Sequence, residues 1–148
     1  MLSKVYIASS FSLIHKVREV EKALEDAGYT VLCKWWTGLD FIPGEGRSLK
    51  EKAQTVTPQE FYSSPGAKTA FERDFKAVKD ADFLVFVADD EPRKYNGANV
   101  EYGIAVGDGK PCFSLGRLEN SAMYYAFIKC YSIPDLLTMI KNALQGGS

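Results

Sequence analysis

Short, almost entirely apolar segments alternate with helical segments along most of this 148-residue chain. Lys4–Ala8 is the first apolar segment, and residues 12–27 follow with apolar side chains spaced along one helical face. Further strands are predicted at 29–35, 82–88, 110–115 and 127–131, and further helices at 67–79, 96–107, 120–126 and from 132 onward. Strands that are apolar on both faces need cover on both sides. This order predicts a doubly wound α/β fold, flavodoxin-like or Rossmann-like, with about five parallel strands and helices on both faces.

The length of the chain fits one hydrophobic core, and we expect a single domain over residues 1–144. Residues 145–148 are polar or glycine and are predicted to form a flexible tail. The exception to the alternation is 36–66, which is rich in glycine and proline and is predicted to be an irregular loop. Short helical turns are expected within it at 48–53 and 58–62. Loops of this length are uncommon in compact domains and are often functional, so a lid is one hypothesis.

Charge and composition exclude several classes of function. The chain has 18 Lys and Arg against 19 Asp and Glu, with no basic block, which argues against nucleic-acid or membrane-surface binding. Its apolar runs are far shorter than the ~20 residues of a membrane span. Cys33, Cys112 and Cys130 show neither disulfide nor zinc spacing and are expected to be small buried hydrophobes of a cytoplasmic protein. His15, the one histidine, lies in the first helix, which argues against a catalytic triad.

Two acidic residues flank the apolar strand at 82–88. Asp74 precedes this strand on a predicted helix, and Glu101 follows it in the first turns of the next helix. In a parallel sheet, helices on either side of a strand can present carboxylates at the carboxyl edge, where ligands bind. The ordinary alternatives are a surface glutamate that interacts with its helix dipole and an Arg73–Asp74 pair on a solvated helix face.

Polar residues also follow the first and third predicted strands. Ser9, Ser10 and Ser12 form the first strand-to-helix connection, where hydroxyl and backbone N–H groups can bind an anion. Helix capping by Ser10 or Ser12 is the alternative, and both roles can coexist. Asp89 and Asp90 end the third strand, so topology places them at the same edge of the sheet.

Four short motifs, in this order, resemble the nucleoside 2-deoxyribosyltransferase superfamily, which includes the 2′-deoxynucleoside 5′-phosphate N-hydrolases. The similarity covers most of the chain and leaves out the loop at 36–66. The motifs are Tyr6-Ile-Ala-Ser-Ser10, Asp74-Phe-Lys-Ala-Val-Lys-Asp-Ala-Asp82, Gly97-x-x-x-Glu101-x-Gly103 and Gly109-Lys110-Pro111.

The resemblance implies a role for each matched position. Glu101 falls on the nucleophilic glutamate of the superfamily, and Asp74 on an aspartate that holds the sugar or promotes departure of the base. Tyr6 falls on a tyrosine that contacts the site beside the nucleophile. Ser10 matches a serine that binds the 5′-phosphate in the phosphate branch. Ser121 lies in a segment that reaches a neighbouring subunit in that branch, which implies a homodimer or higher homo-oligomer.

The remaining predicted substrate contacts are Ser9, Asp89, Asn96 and Gly97. Ser9 lies in the first strand-to-helix connection, and the other three lie ahead of Glu101. The two branches of the superfamily differ in the segment ahead of this glutamate. The phosphate branch has a serine just before the glycine of the G-x-x-x-E motif, whereas this chain has Tyr95 and Asn96 after a small insertion. The transferase branch has an aspartate near that place, for which Asp89 or Asp90 could substitute only if the insertion folds back.

The activity implied is cleavage of the N-glycosidic bond of a (2′-deoxy)nucleoside or its 5′-monophosphate through a glycosyl-glutamate intermediate. Either water or a second base resolves that intermediate. The scheme needs no metal and no cofactor, and its partner is the small-molecule nucleoside or nucleotide. A non-catalytic nucleotide-binding module on the same fold is the main alternative. A phosphatase is disfavoured, because no nucleophile signature follows the first strand.

Overall fold

Seven strands lie within the part of the chain described by the structure, a computed structural model that covers residues 3–37, 41–42, 47–48, 55–91 and 93–145. In chain order they are β1 (Lys4–Ala8), β2 (Thr30–Leu32), β3 (Phe41–Ile42), β4 (Arg47–Ser48), β5 (Phe83–Val87), β6 (Cys112–Leu115) and β7 (Phe127–Cys130). Five of them form a parallel sheet in the order β2-β1-β5-β6-β7. The other two, β3 and β4, form a separate antiparallel pair. The predicted parallel α/β sheet is confirmed.

Helices cover both faces of this sheet. They are α1 (Ile14–Asp26), α2 (Pro58–Tyr62), α3 (Pro65–Asp80), α4 (Asn96–Gly107) and α5 (Ile133–Gln145). Helix α1 packs beside α5, and α3 packs beside α4. Among the described residues, no helix is both long enough and apolar enough to cross a membrane.

The core lies between the sheet and these two helical layers. All five residues of β5 are buried, as expected for a central strand covered on both sides. Phe86 on β5 makes aromatic contacts with Tyr95, Tyr124 and Phe127, which fill the layer toward α4. Complete burial of a phenylalanine side chain of this kind contributes about 2–3 kcal/mol.

The ends of the helices follow local capping chemistry. Helix α1 ends at Asp26, and Gly28 takes the left-handed backbone conformation (φ +96°) that the sequence predicts for this position. The hydroxyl of Ser64 accepts a hydrogen bond from the Ala67 N–H, and Pro65 is the first residue of α3. Helix α3 therefore starts two residues before the predicted position, inside the segment expected to be irregular.

The segment predicted as a loop at 36–66 contains two of the short elements. Helix α2 confirms the helical turn expected at 58–62. Of the turn expected at 48–53, Ser48 belongs to β4 and residues 49–53 lie outside the described residues. The predicted tail begins one residue too early, because α5 extends to Gln145, and residues 146–148 also lie outside the described residues. The lid and the domain boundaries remain predictions.

The strand order creates a crevice between the carboxyl ends of β1 and β5. From β1 the chain crosses to β2 on one side and then returns to β5 on the other side, which makes this a topological switch point. Ser9 Oγ donates a hydrogen bond to the carbonyl of Val87 (2.7 Å), and Lys16 Nζ donates to that of Ala88. These two bonds tie the loop after β1 and helix α1 to the end of β5.

Candidate active site

A tyrosine and a glutamate are hydrogen-bonded beside this crevice. Tyr6 lies on β1 with 1% of its surface exposed, and its hydroxyl donates a hydrogen bond to Oε2 of Glu101, which is half-buried on α4. Burial raises the pKa of Glu101 to about 8, and the negative charge of Asp74 adds to this, while the Tyr6 hydroxyl and the Arg73 charge oppose it. Burial and the neighbouring Glu101 raise the pKa of Tyr6 above its usual range. Tyr6 therefore acts as a hydrogen-bond donor.

The carboxylate of Asp74 is held by two neighbours. Arg73 donates to Oδ1 of Asp74 through Nε (2.9 Å), and Nη2 lies 2.9 Å from the same oxygen. The thiol of Cys33 also donates to Oδ1, at 3.3 Å. The Arg73 and Asp74 side chains are only 25% and 28% exposed, so the solvated helix face considered from the sequence is wrong for this pair.

Cys33 departs from the expectation that it is a buried hydrophobe, although that expectation is confirmed for Cys112 and Cys130. Cys33 directly follows β2 and has a left-handed backbone (φ +49°), which points its side chain toward α3. This conformation ends β2 at Leu32, three residues before the predicted end at Trp35. Burial and the charge of Asp74 raise the pKa of the Cys33 thiol to about 12, so it stays protonated.

Trp35 fixes the chain just beyond Cys33. Its backbone N–H donates to the Cys33 carbonyl (2.6 Å), and its indole Nε1 donates to the Ile7 carbonyl on β1 (2.8 Å). The ring packs edge-on against Phe11 at 5.2 Å between centroids. These contacts anchor the end of β2 to β1, on which Tyr6 lies.

The serines after β1 adopt a capping arrangement. Ser10 Oγ accepts the backbone N–H of Ser12 (3.3 Å) at the start of a short 3-10 helix, Phe11–Leu13, and lies 2.8 Å from Ser12 Oγ. Capping by Ser10 is therefore confirmed. Anion binding by Ser9 and Ser10 remains a prediction, and for the Ser9 hydroxyl it requires release of the bond to the Val87 carbonyl.

Asp89 forms an ion pair with a residue of the insertion. Arg93 donates to both carboxylate oxygens of Asp89 through Nε (2.9 Å) and to Oδ2 through Nη2 (2.6 Å), and its Nη1 donates to Ser12 Oγ (3.2 Å). These contacts connect the loop after β5 to the loop after β1. The bonds from Arg93 hold the pKa of Asp89 below its usual value. Asp89 therefore faces Arg93 as an ionised carboxylate.

The other predicted contacts lie at the edges of this region. Asn96 and Gly97 are exposed at the start of α4, and a Cβ at Gly97 would meet no atom within 4 Å, so this turn is accessible to a ligand. Ser121 caps a second 3-10 helix, Ala122–Ala126, where it accepts the Met123 N–H (3.2 Å). No hydrogen bond among the described residues joins Ser121 to Tyr6 or Glu101.

The structure thus brings together Tyr6, Asp74 and Glu101, the three predicted catalytic residues, in one electrostatically coupled group. Sequence reasoning did not assign a role to Arg73, Cys33 or Arg93. Arg73 is adjacent to a candidate acid, which was a usable signal, whereas no local pattern indicates the contact between Cys33 and Asp74. In the described part of the chain, no three His, Cys, Asp or Glu side chains are grouped as metal ligands.

The fold and the site define a class: a doubly wound α/β domain with a buried carboxylate and a second acid at its switch point. No protein-family model matches the sequence, and no curated protein matches it. The chain is similar in structure to the CMP N-glycosidase BcmB of Clostridium botulinum, with a TM-score of 0.54. That likeness covers 94% of this chain and 99% of the other, at 15% sequence identity. At this level of identity the likeness concerns the fold, and it agrees with the parallel α/β fold predicted from the sequence.

Proposed function

We propose that this protein cleaves the N-glycosidic bond of a (2′-deoxy)nucleoside or of its 5′-monophosphate. The observation that carries the proposal is the buried Glu101 carboxyl group, hydrogen-bonded to Tyr6 and electrostatically coupled to Asp74 beside the switch-point crevice. The structural likeness to an enzyme named as a CMP N-glycosidase supports the same bond type.

Glu101 is the proposed nucleophile. Its ionised carboxylate forms a bond to the anomeric carbon while the carbon–nitrogen bond breaks and its electron pair leaves with the base. Tyr6 donates to Oε2 of Glu101 and so fixes the orientation of the attacking group. Burial keeps water away from the carboxylate, which strengthens its interaction with the positive charge that develops on the sugar.

Asp74 is proposed to accept a hydrogen bond from the sugar or the base. The departing base takes up one proton, from an acid or from water, as the glycosyl–glutamate forms. Attack of water on this intermediate completes a hydrolysis, and attack of another base completes a transfer. Both outcomes regenerate the Glu101 carboxylate, and we keep both as forms of the proposed reaction.

Substrate contacts are proposed for the loops on either side of the crevice. Ser9 and Ser10 present hydroxyl groups after β1, while Asn96 and Gly97 are accessible at the start of α4. Asp89 contributes through Arg93, whose guanidinium group already reaches the serine loop. A 5′-phosphate would meet the Ser10 hydroxyl and the Arg93 guanidinium group here, and Ser9 would have to release the Val87 carbonyl to donate to it.

Self-association is proposed for the face that carries Ser121. Met123 and Tyr125 are 75% and 89% exposed beside it, and Val100 and Val106 on α4 are also exposed. Large apolar side chains clustered on a surface mark interaction sites. A second copy of this chain is the proposed occupant, in keeping with the subunit contact that the motif resemblance implies for Ser121.

The test is chromatographic detection of free base from a panel of deoxynucleosides, ribonucleosides and their 5′-monophosphates, with and without a second base. Release by the wild type and its loss in Glu101→Gln would support the proposal, and the second base would separate transfer from hydrolysis. Nucleotide binding without base release, with affinity unchanged in Glu101→Gln, would favour the alternative of a non-catalytic nucleotide-binding module.

A further inference from the structure

One oxygen of the Asp74 carboxylate accepts every side-chain hydrogen bond described for that group. Arg73 Nε and the Cys33 thiol both donate to Oδ1, and Arg73 Nη2 is paired with the same oxygen. The two donors come from different elements, because Arg73 lies on α3 and Cys33 follows β2. Together they define the rotation of the carboxylate about its Cβ–Cγ bond.

We propose that Arg73 and Cys33 are positioning residues for the reaction proposed above: they hold Asp74 through Oδ1, so that Oδ2 is the oxygen that contacts the substrate. This inference rests on the proposed function for the identity of the substrate, but not for the arrangement of the three side chains. No hydrogen bond to Oδ2 is formed by the described residues, which agrees with that assignment.

The backbone at Cys33 supports a dedicated arrangement. A left-handed conformation at a residue other than glycine costs about 1 kcal/mol or more, and within the described residues Cys33 is the one non-glycine residue with positive φ. The Trp35 N–H bonded to the Cys33 carbonyl and the Trp35 indole bonded to Ile7 hold this conformation in place. Without the turn, the thiol would not face Asp74.

Arg73 has a second effect, on Glu101. Its positive charge lowers the pKa of Glu101, against the raising effects of burial and of Asp74. Among the described residues, the titratable groups coupled to Glu101 are Tyr6 from β1, Cys33 after β2, and the Arg73–Asp74 pair from α3. Loss of the Arg73 charge therefore leaves Glu101 beside an uncompensated carboxylate, and its proton is held more tightly.

The test compares Arg73→Met, Arg73→Lys, Cys33→Ala and Cys33→Ser with the wild type. The control is Lys76→Met, which removes a charge from the same helix at an exposed pair with Asp80. One measurement is steady-state kinetics on the preferred substrate. The other is a carbon-13 NMR titration of the Glu101 carboxyl group, which does not depend on activity.

We expect Arg73→Met to lower kcat by about 100-fold with little change in KM, because a misplaced positioning group acts mainly on the transition state. Arg73→Lys should recover part of the loss. Cys33→Ala should lower kcat by about 3- to 10-fold, and Cys33→Ser, which keeps a donor, should lie between it and the wild type. The Glu101 titration midpoint should rise by about half to one pH unit in Arg73→Met and stay unchanged in Lys76→Met.

Three results would overturn the inference. The first is an unchanged Glu101 titration midpoint in Arg73→Met, which can be measured even in an inactive protein. Absence of base release by the wild type would overturn the proposed function, and it is a separate result. The other two apply if the wild type is active. Arg73→Met could raise KM and leave kcat unchanged, or its kinetics could equal those of Lys76→Met, and either result would argue against the positioning role. Thermal unfolding of each variant identifies losses that come from misfolding.

Discussion

The phenol of Tyr6 and the carboxyl group of Glu101 form a hydrogen bond that joins strand β1 to helix α4. The two residues are 95 positions apart in the sequence. Glu101 is nevertheless hard to ionise, because burial outweighs the stabilising bond and raises its pKa to about 8. A nucleophile in this state has direct consequences for pH dependence and for stability.

Activity should rise with pH. If ionised Glu101 is the nucleophile, about a tenth of the free protein carries the reactive form at pH 7, and kcat/KM should increase through pH 8 before levelling off. The measurement is kcat/KM from pH 5.5 to 9.5 on one substrate. A profile that instead falls as pH rises through 8 would indicate that protonated Glu101 is the active form.

Tyr6→Phe should move this profile to higher pH. The Tyr6 hydroxyl lowers the pKa of Glu101 through its hydrogen bond, so its removal should shift the alkaline rise upward and lower kcat at pH 7 by about 10-fold or more. Tyr29→Phe is the matched control, because Tyr29 packs edge-on against Phe83 in the core and is not part of the site. An unshifted profile in Tyr6→Phe would argue against the coupling.

Glu101→Gln should stabilise the fold at high pH while abolishing base release. The folded-state pKa of Glu101 lies above its unfolded value, so the wild type loses stability as pH rises from about 4.5 to 8 and stays at that lower level above. Glutamine at this position removes this cost, so the free energy of unfolding should increase by about 1–3 kcal/mol at pH 9 and by much less at pH 5. Urea denaturation at both pH values measures it, with exposed Glu19→Gln as the control.

Ser10→Ala should discriminate between 5′-monophosphates and nucleosides. Ser10 caps the 3-10 helix after β1, and in the proposed function it also contacts the phosphate. Loss of the contact should reduce kcat/KM for the monophosphate by about 10-fold more than for the nucleoside. Ser132→Ala removes a purely structural hydroxyl, the one that accepts the Asp135 N–H at α5. If Ser10→Ala lowered kcat/KM equally for both substrates, Ser10 would be a helix-capping residue without a phosphate contact.

Gly116→Ala should destabilise the protein by about 2–4 kcal/mol. Gly116 has φ +97°, and a Cβ there would overlap the carbonyl oxygen of Ala88, at the junction of the β5 and β6 ends. Gly107→Ala, at the end of α4, is the control, because a Cβ there meets no atom within 4 Å. Chemical denaturation should show a loss for the first variant and a change of about 1 kcal/mol or less for the second.

Tyr125→Asp together with Met123→Asp should dissociate the proposed homo-oligomer. Both side chains are among the most exposed apolar groups of the described residues, and charges on them would be buried without partners in a subunit contact. Light scattering after size-exclusion chromatography measures the molar mass. Arg18→Asp, exposed on α1 on the opposite face of the sheet, is the control. A monomeric wild type at micromolar concentration would contradict the self-association proposal.

The order of strands and helices was predictable because each element depends on local chemistry. Apolar runs such as Phe83–Val87 specify a buried strand, and capping residues such as Gly28 and Ser132 specify where helices end or begin. The alternation of these elements then leaves few topologies, because parallel strands require crossover helices. The same topology explains why one edge of the sheet carries Tyr6, Asp74 and Glu101.

Contacts between side chains from distant segments were decided only by the tertiary structure. A thiol at position 33 looks like an ordinary apolar residue in the sequence, and only the left-handed turn after β2 directs it to Asp74. Arg73 looks like a solvated charge until α3 packs against the sheet and α4. The physical reason is that hydrogen bonds and desolvation depend on three-dimensional distance and burial, which no local pattern of residues encodes.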